Sequence, residues 1–138
     1  MSGQNTTPPV ATVRTTSQAR QQLATLKRRT TLRHWNVICR WAFCLSLSEE
    51  SAPPALNGSL EGGVTMTWVT FGGEEADLYA ALLDARLVRD GLDLHAAAVR
   101  SDHFNRHLHR GINRMAGDMS MTSSSEELLR FALHRQTA

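Results

Sequence analysis

The hydrophobic pattern is densest in Trp35-Asn36-Val37-Ile38-Cys39-Arg40-Trp41-Ala42-Phe43-Cys44-Leu45, where only Asn36 and Arg40 are polar. The run contains no Pro or Gly, and its length suits a helix better than a strand. At about 100° per residue, Ile38, Trp41, Ala42 and Leu45 share one face. Val37 and Cys44 adjoin it, and Cys39 and Phe43 flank the far side. A helix that is apolar nearly all round must be covered nearly all round, and a chain of 138 residues has few other elements to do this. The expectation is a helix that is both the middle of a small bundle and part of a subunit interface, with Trp35, Ile38, Trp41 and Leu45 meeting a second copy.

The flanking pattern supplies the other elements. Residues 1–9 are polar with Pro8-Pro9 and read as a disordered tail. Val10 to Thr16 is rich in β-branched residues, a strand with Ala11, Val13 and Thr15 on one face and Thr12 and Arg14 on the other. Ser17 is an N-cap for a helix over about Gln18 to Arg29, with Leu23, Leu26 and Ala19 as its narrow apolar stripe. Thr30-Thr31-Leu32 forms the turn into the central helix. Strand, helix, turn and helix in this order make a ribbon-helix-helix-like unit, which needs a second chain because a lone strand has two open edges. Ser46 to Gly63, with Pro53-Pro54 and Asn57-Gly58, is a loop. Val64 to Phe71 alternates as one short extra strand. A helix follows Gly72-Gly73 and runs to Asp90, with Leu78, Ala81, Leu82, Ala85 and Val88 as its core stripe and Gly91 as its stop. Asp93 can cap a last helix through Ala96–Ala98, and Ser101-Asp102 either caps anew or continues it to Gly117. Phe104, Leu108, Ile112 and Met115 are its apolar positions, with Arg106, Arg110 and Arg114 beside them. Beyond it, Ser124 and Glu127 form a capping box for a short helix carrying Leu128, Leu129 and Leu133. The fold class is thus mainly α, with residues 10–117 as one domain and 118–138 as a C-terminal tail.

Composition bounds the function. Apolar content of 41% supports a core, and no apolar run reaches the roughly 18 residues of a membrane span. The polar N-terminus lacks the pattern of a secretory signal, and two Cys five apart on one helix cannot pair there, so a cytoplasmic protein with free thiols is expected. The formal charge of +2 hides an asymmetry. Residues 1–47 carry net +7 with no acid, residues 48–93 net −7, and the remainder net +2. The basic third either meets a polyanion or pairs with the acidic third, within a subunit or between subunits.

Lys27-Arg28-Arg29 with Arg33 and His34 is the strongest functional feature, because it joins a helix end to the start of the next helix, whose N–H groups favour anions. Arg14 extends this set as DNA-binding residues. Arg40, inside the apolar helix, is expected to satisfy a carboxylate or backbone carbonyl. Asp102, His103, His107 and His109 lack the zinc-protease spacing and read as ordinary surface histidines, so no metal site is expected. Cys39 and Cys44 read as core residues. No phosphate loop, carboxylate pair or Ser-His set stands out, and neither catalysis nor a cofactor is expected.

Leu26-Lys27-Arg28-Arg29-Thr30 and Cys39-Arg40-Trp41-Ala42-Phe43-Cys44-Leu45-Ser46-Leu47 together resemble the DndE family of DNA sulfur modification proteins. Gly73-Glu74 ahead of Leu82-Leu83 and Asp90-Gly91-Leu92-Asp93 resembles it too, as does His107-Leu108-His109-Arg110-Gly111. Thr31 stands where a turn Gly is expected, and the stretch after Gly117 lies outside the resemblance. The resemblance implies a role in DNA phosphorothioation, in which sulfur replaces a non-bridging phosphate oxygen within a bacterial defence (restriction-modification) system. The chemistry then belongs to a cysteine desulfurase, a reductase-like subunit and an ATPase. This chain would be a non-catalytic, homo-oligomeric (dimer or tetramer) subunit contacting double-stranded DNA, intact or nicked, and those partners. The alternatives are a ribbon-helix-helix repressor and a protein-only scaffold.

Overall fold

The computed structural model describes residues 7–117, so the expected tail helix and most of the N-terminal tail lie outside the described residues. The elements are β1 (Thr12–Thr16), α1 (Ser17–Arg29), α2 (Trp35–Leu47), β2 (Gly62–Thr67), α3 (Trp68–Gly72), a 3-10 turn (Gly73–Glu75), α4 (Ala76–Arg89) and α5 (Ala97–Gly117). The architecture is mainly helical, with one two-stranded sheet.

Each strand runs straight into a helix through a threonine. Thr16 ends β1 and caps α1, its Oγ1 accepting the Ala19 N–H at 3.0 Å. The cap is therefore Thr16, one residue before the expected Ser17. Thr67 does the same for α3, accepting from the Thr70 N–H at 3.1 Å. That cap ends β2 four residues short of the expected Phe71, because it turns the chain into α3 as soon as the Trp68 N–H has donated to Ala11 O at 3.1 Å.

β1 pairs antiparallel with β2 of the same chain, Arg14 opposite Thr65 and Val13 opposite Met66. The edge that a ribbon-helix-helix unit would offer to a second chain is taken on that side from within. Val13, Thr15, Val64 and Met66 face inward, while Arg14, Thr65 and Thr67 face solvent. At the bulge after Arg14, a side chain on Gly63 would meet the Thr15 carbonyl oxygen at 1.9 Å, so only glycine fits.

α2 is the middle of the bundle. α5 lies along it so closely that Gly111 sits against the Ala42 carbonyl. Phe43 anchors an aromatic cluster, with ring centres 5.2 Å from Phe104 and 5.9 Å from Phe71. Trp68 stacks on Phe71 at 5.0 Å. Ile38 and Leu45 are fully buried inside this single chain. The expectation that they meet a second copy is corrected: α1, α3 and α5 already cover them. Trp35 and Trp41 remain partly exposed.

The expected core stripe of α4 is also corrected. Ala80, Leu83, Arg86 and Leu87 face the core, whereas Leu78, Leu82 and Val88 are exposed. Arg86 explains the inversion. Its guanidinium goes inward to the end of α2, donating to the carbonyls of Leu47 (2.8 Å), Glu50 (3.2 Å) and Ser51 (2.9 Å), and pairs with Asp90 at 2.9 Å. Arg110 joins it, donating to Ser46 O at 2.9 Å, Ser46 Oγ at 2.8 Å and Ser51 O at 2.9 Å. The last carbonyls of a helix lack intrahelical donors and carry partial negative charge, so two buried guanidiniums complete them. Gly91, at φ +74, adopts the left-handed conformation that ends α4.

Candidate nucleic-acid interface

The junction between α1 and α2 is built by short-range bonds. Thr30 Oγ1 donates to Leu26 O at 2.8 Å and accepts the Leu32 N–H at 3.2 Å, fixing where α1 stops and the chain turns. Lys27, Arg28 and Arg29 fill the last turn of α1, where cations oppose the negative end of the helix dipole. Arg33 and His34 follow on the exposed turn, and α2 starts at Trp35. His34 makes no side-chain cap bond, and the first turn of α2 holds no acid. The first N–H groups of α2 thus point at the same space as the cations.

Two open grooves meet at this junction. One, of about 530 Å³, is lined by Lys27, Arg28, Thr30, Thr31, Leu32 and Arg33. The other, of about 290 Å³, runs from Lys27, Arg33 and His34 past Trp35 to Thr65 and Thr70. Thr65 is the cross-strand partner of Arg14, so the outer sheet face continues the same surface. The structure therefore brings together Arg14, Lys27, Arg28, Arg33 and His34. Arg29 is exposed but lines neither groove.

Trp35, expected at a subunit interface, makes a contact within the chain. The Lys27 ammonium lies 4.6 Å from the centre of its ring, a cation–π contact that holds the cation at the groove. Arg20, exposed on α1, belongs to the same acid-free segment and escaped notice because it stands apart from the cluster. Among the described residues no ion pair involves Arg14, Arg20, Lys27, Arg28, Arg29 or Arg33.

A family model described as DNA sulphur modification protein DndE matches residues 12–123. This chain belongs to the DndE family. The crystal structure of DndE from Escherichia coli B7A, described as involved in DNA phosphorothioation modification, superposes with a TM-score of 0.59 at 22% identity, covering 77% of this chain and 96% of that one. That likeness establishes the shared fold. No curated protein matches the chain.

The remaining chemistry-bearing residues of this DndE-family chain face groups of their own chain. Arg106 pairs with Asp102 at 2.8 Å and Arg114 with Glu49 at 2.9 Å, so the α5 arginines face carboxylates of their own chain. Arg40 donates to the Phe71 carbonyl at 3.2 Å, as expected of a cation inside the apolar helix. His107 is fully buried, not a surface histidine, and lies 2.9 Å from Ser46 Oγ. Arg110 Nε–H donates to the same oxygen, so Ser46 Oγ joins the two side chains. Burial, with Arg86, Arg110 and His103 nearby, pushes the His107 pKa down to about 3. A Ser-His pair sealed from solvent cannot meet a substrate. Burial also raises the Cys39 thiol to about 12. Among the described residues no group of three or more His, Cys, Asp or Glu is placed to hold a metal ion, and no helix is long and apolar enough to cross a membrane.

Proposed function

We propose that this chain is a non-catalytic DNA-binding accessory subunit of the phosphorothioate modification machinery, working with its reductase-like and ATPase subunits. It meets the sugar-phosphate backbone of intact or nicked duplex through Arg14, Lys27, Arg28, Arg29, Arg33 and His34. One observation carries this reading: the cations gathered at the α1–α2 junction have no carboxylate partner among the described residues. Arginine guanidiniums paired with backbone N–H groups suit phosphate oxygens. Membership of the DndE family supplies the pathway. The proposal keeps a homo-oligomer and moves its apolar surface from α2 to α4, where Leu78, Leu82 and Val88 are exposed.

The test is fluorescence anisotropy of labelled intact, nicked and single-stranded DNA across a salt series. Each phosphate contact on duplex DNA contributes about −0.9 to the slope of log affinity against log salt. Replacing Lys27, Arg28, Arg29 and Arg33 together by Ala should flatten the slope by about 0.9 for each phosphate those side chains neutralise. An unchanged slope in a folded variant defeats the reading and favours the protein-only scaffold. Strong preference for one palindrome would favour a repressor.

A further inference from the structure

A second cleft, of about 170 Å³, lies at the other end of α1, between its first turn, the 54–57 loop segment and α5. Among the described residues no carboxylate lines it. Its polar lining includes Gln18, Gln22, Arg106, His109, Asn113 and Arg114. The walls are fixed by bonds within the chain. Gln22 Nε2 donates to Asn113 Oδ1 at 3.1 Å across the rim. His109 donates through Nδ1 to Asn105 O at 2.7 Å, while Nε2 accepts the Thr16 N–H at 3.1 Å, which makes the ring a neutral brace. Arg110 has every nitrogen bonded to Ser46 or Ser51 and acts as a wall. Arg114 is held by Glu49.

Arg106 is the exception. Its Nε lies 2.8 Å from Asp102 Oδ2 but off the hydrogen-bonding direction, so the pair is Coulombic and the two Nη groups keep their donors. Opposite it, α1 opens with no acid in its first turn. Thr16 Oγ1 serves only the Ala19 N–H, leaving those of Ser17 and Gln18 without an intrahelical acceptor. A planar charged fork, the first-turn backbone at Gln18 and two amide groups thus line one space. A carboxylate would be satisfied by the fork alone, whereas a tetrahedral oxyanion presents acceptors in all these directions.

We propose that this cleft is a binding site for a phosphate oxyanion, held by Arg106, the first-turn N–H groups of α1 and the amides of Gln22 and Asn113. The phosphate comes either free in solution or from a nucleic-acid backbone. Thirteen residues of α1 at 1.5 Å each put the cleft about 20 Å from the Lys27–Arg33 junction, roughly six phosphates along one strand. A duplex longer than that spans the distance.

The test is a pair of amide NMR titrations on the full chain, one with inorganic phosphate and one with such a duplex. Both follow the Ser17 and Gln18 backbone amides and the Gln22 and Asn113 side chains. Saturable phosphate shifts are expected, with affinity about tenfold weaker in Arg106→Gln, the loss of one charge-assisted bond. Gln22→Glu, which puts a carboxylate on the rim, should weaken it comparably, and it carries the test if Arg106→Gln does not fold. The Lys27, Arg28, Arg29, Arg33 alanine variant should keep the phosphate shifts, which separates this site from the DNA reading. Duplex shifts at the same resonances support the site with a backbone phosphate as its source. Phosphate shifts without duplex shifts support it with free phosphate as the source. Linear, non-saturating shifts up to about 20 mM phosphate, or wild-type affinity in both single variants, overturn the proposal.

Discussion

Gly111→Ala tests the packing on which everything else rests. A Cβ at Gly111 would lie 1.7 Å from the Ala42 oxygen, 2.3 Å from its carbonyl carbon and 2.8 Å from its Cα, against roughly 3.4 Å for an ordinary contact. All three atoms are backbone, so no rotamer change relieves the clash, and α2 and α5 must part by about 1.7 Å at their crossing. Phe43, Phe104, Leu108 and Ile112 are fully buried in the surrounding core. A gap of 0.5–1 Å already forfeits about a quarter to a half of a van der Waals well. Losing about half of the roughly 2 kcal/mol that each of these four side chains gains by burial costs on the order of 4 kcal/mol. The better helix propensity of Ala returns about 1 kcal/mol, leaving about 3 kcal/mol net.

In a domain of this size that loss lowers Tm by roughly 10–25 °C. Circular dichroism melts and urea titration of the two proteins measure it. Gly117→Ala is the control: it meets nothing within 4 Å, so its effect should stay within about 1 kcal/mol. A Gly111→Ala protein melting within about 3 °C of wild type, below the shift of even 1 kcal/mol, would refute the close approach of the two helices.

Three further outcomes follow from the same packing and bonds. His107 is neutral down to about pH 3 when folded and titrates near 6.5 when unfolded, so the unfolded chain binds the extra proton between those values. Stability should be full above about pH 6.5 and fall towards pH 3 by up to about 1.4 kcal/mol per unit, as urea midpoints at several pH values will show, and His107→Gln should flatten the curve. Arg40→Ala removes the donor to the Phe71 carbonyl and should cost about 1–2 kcal/mol in urea titration, with any change in DNA affinity tracking the unfolded fraction. Leu82→Glu should reduce the assembled mass in light scattering without lowering the monomer's helicity, if the exposed face of α4 joins subunits.

Where the sequence could be read, one rule decided each residue. Val13 and Thr15 alternate against Arg14 because a two-stranded sheet has one wet face, and the structure keeps that alternation. The run of α2 was legible because nothing but a central position covers so much apolar surface. Where reading failed, a polar residue was doing a core task. α4 carries apolar residues on two faces, and the one without an arginine looked like the inside. Burying Arg86 is favourable only because three carbonyls near the end of α2 await donors, and those come from a segment some forty residues earlier. No local pattern reports such a bond. His107 was misread for the same reason, since its partner Ser46 lies on another helix. The Arg106 cleft was illegible because its donors come from α1 and α5, at opposite ends of the described chain.

The charge asymmetry admitted two readings, and the ion pairs separate them. Had the basic third neutralised the acidic third within the subunit, Lys27 or Arg29 would sit beside Glu49 or Asp84. Instead Glu49 holds Arg114, Glu50 holds Arg89, Asp84 holds Arg100 at 2.8 Å and Asp90 holds Arg86. All four of these acids pair with arginines from residue 86 onwards. The guanidiniums of Arg86, Arg100 and Arg110 are buried and also satisfy backbone carbonyls. A cation used this way is a structural donor, and exchanging it with Lys would lose the fork that reaches several oxygens at once. Within residues 12–47 only Arg40 is used so, by Phe71. The others keep their charge at the surface, where exposed cations add little to folding. Charge that does nothing for the fold and is not cancelled within the subunit still raises the local concentration of anions. A net +7 gathered in the first 47 residues is therefore best explained by something the chain meets rather than by anything it holds.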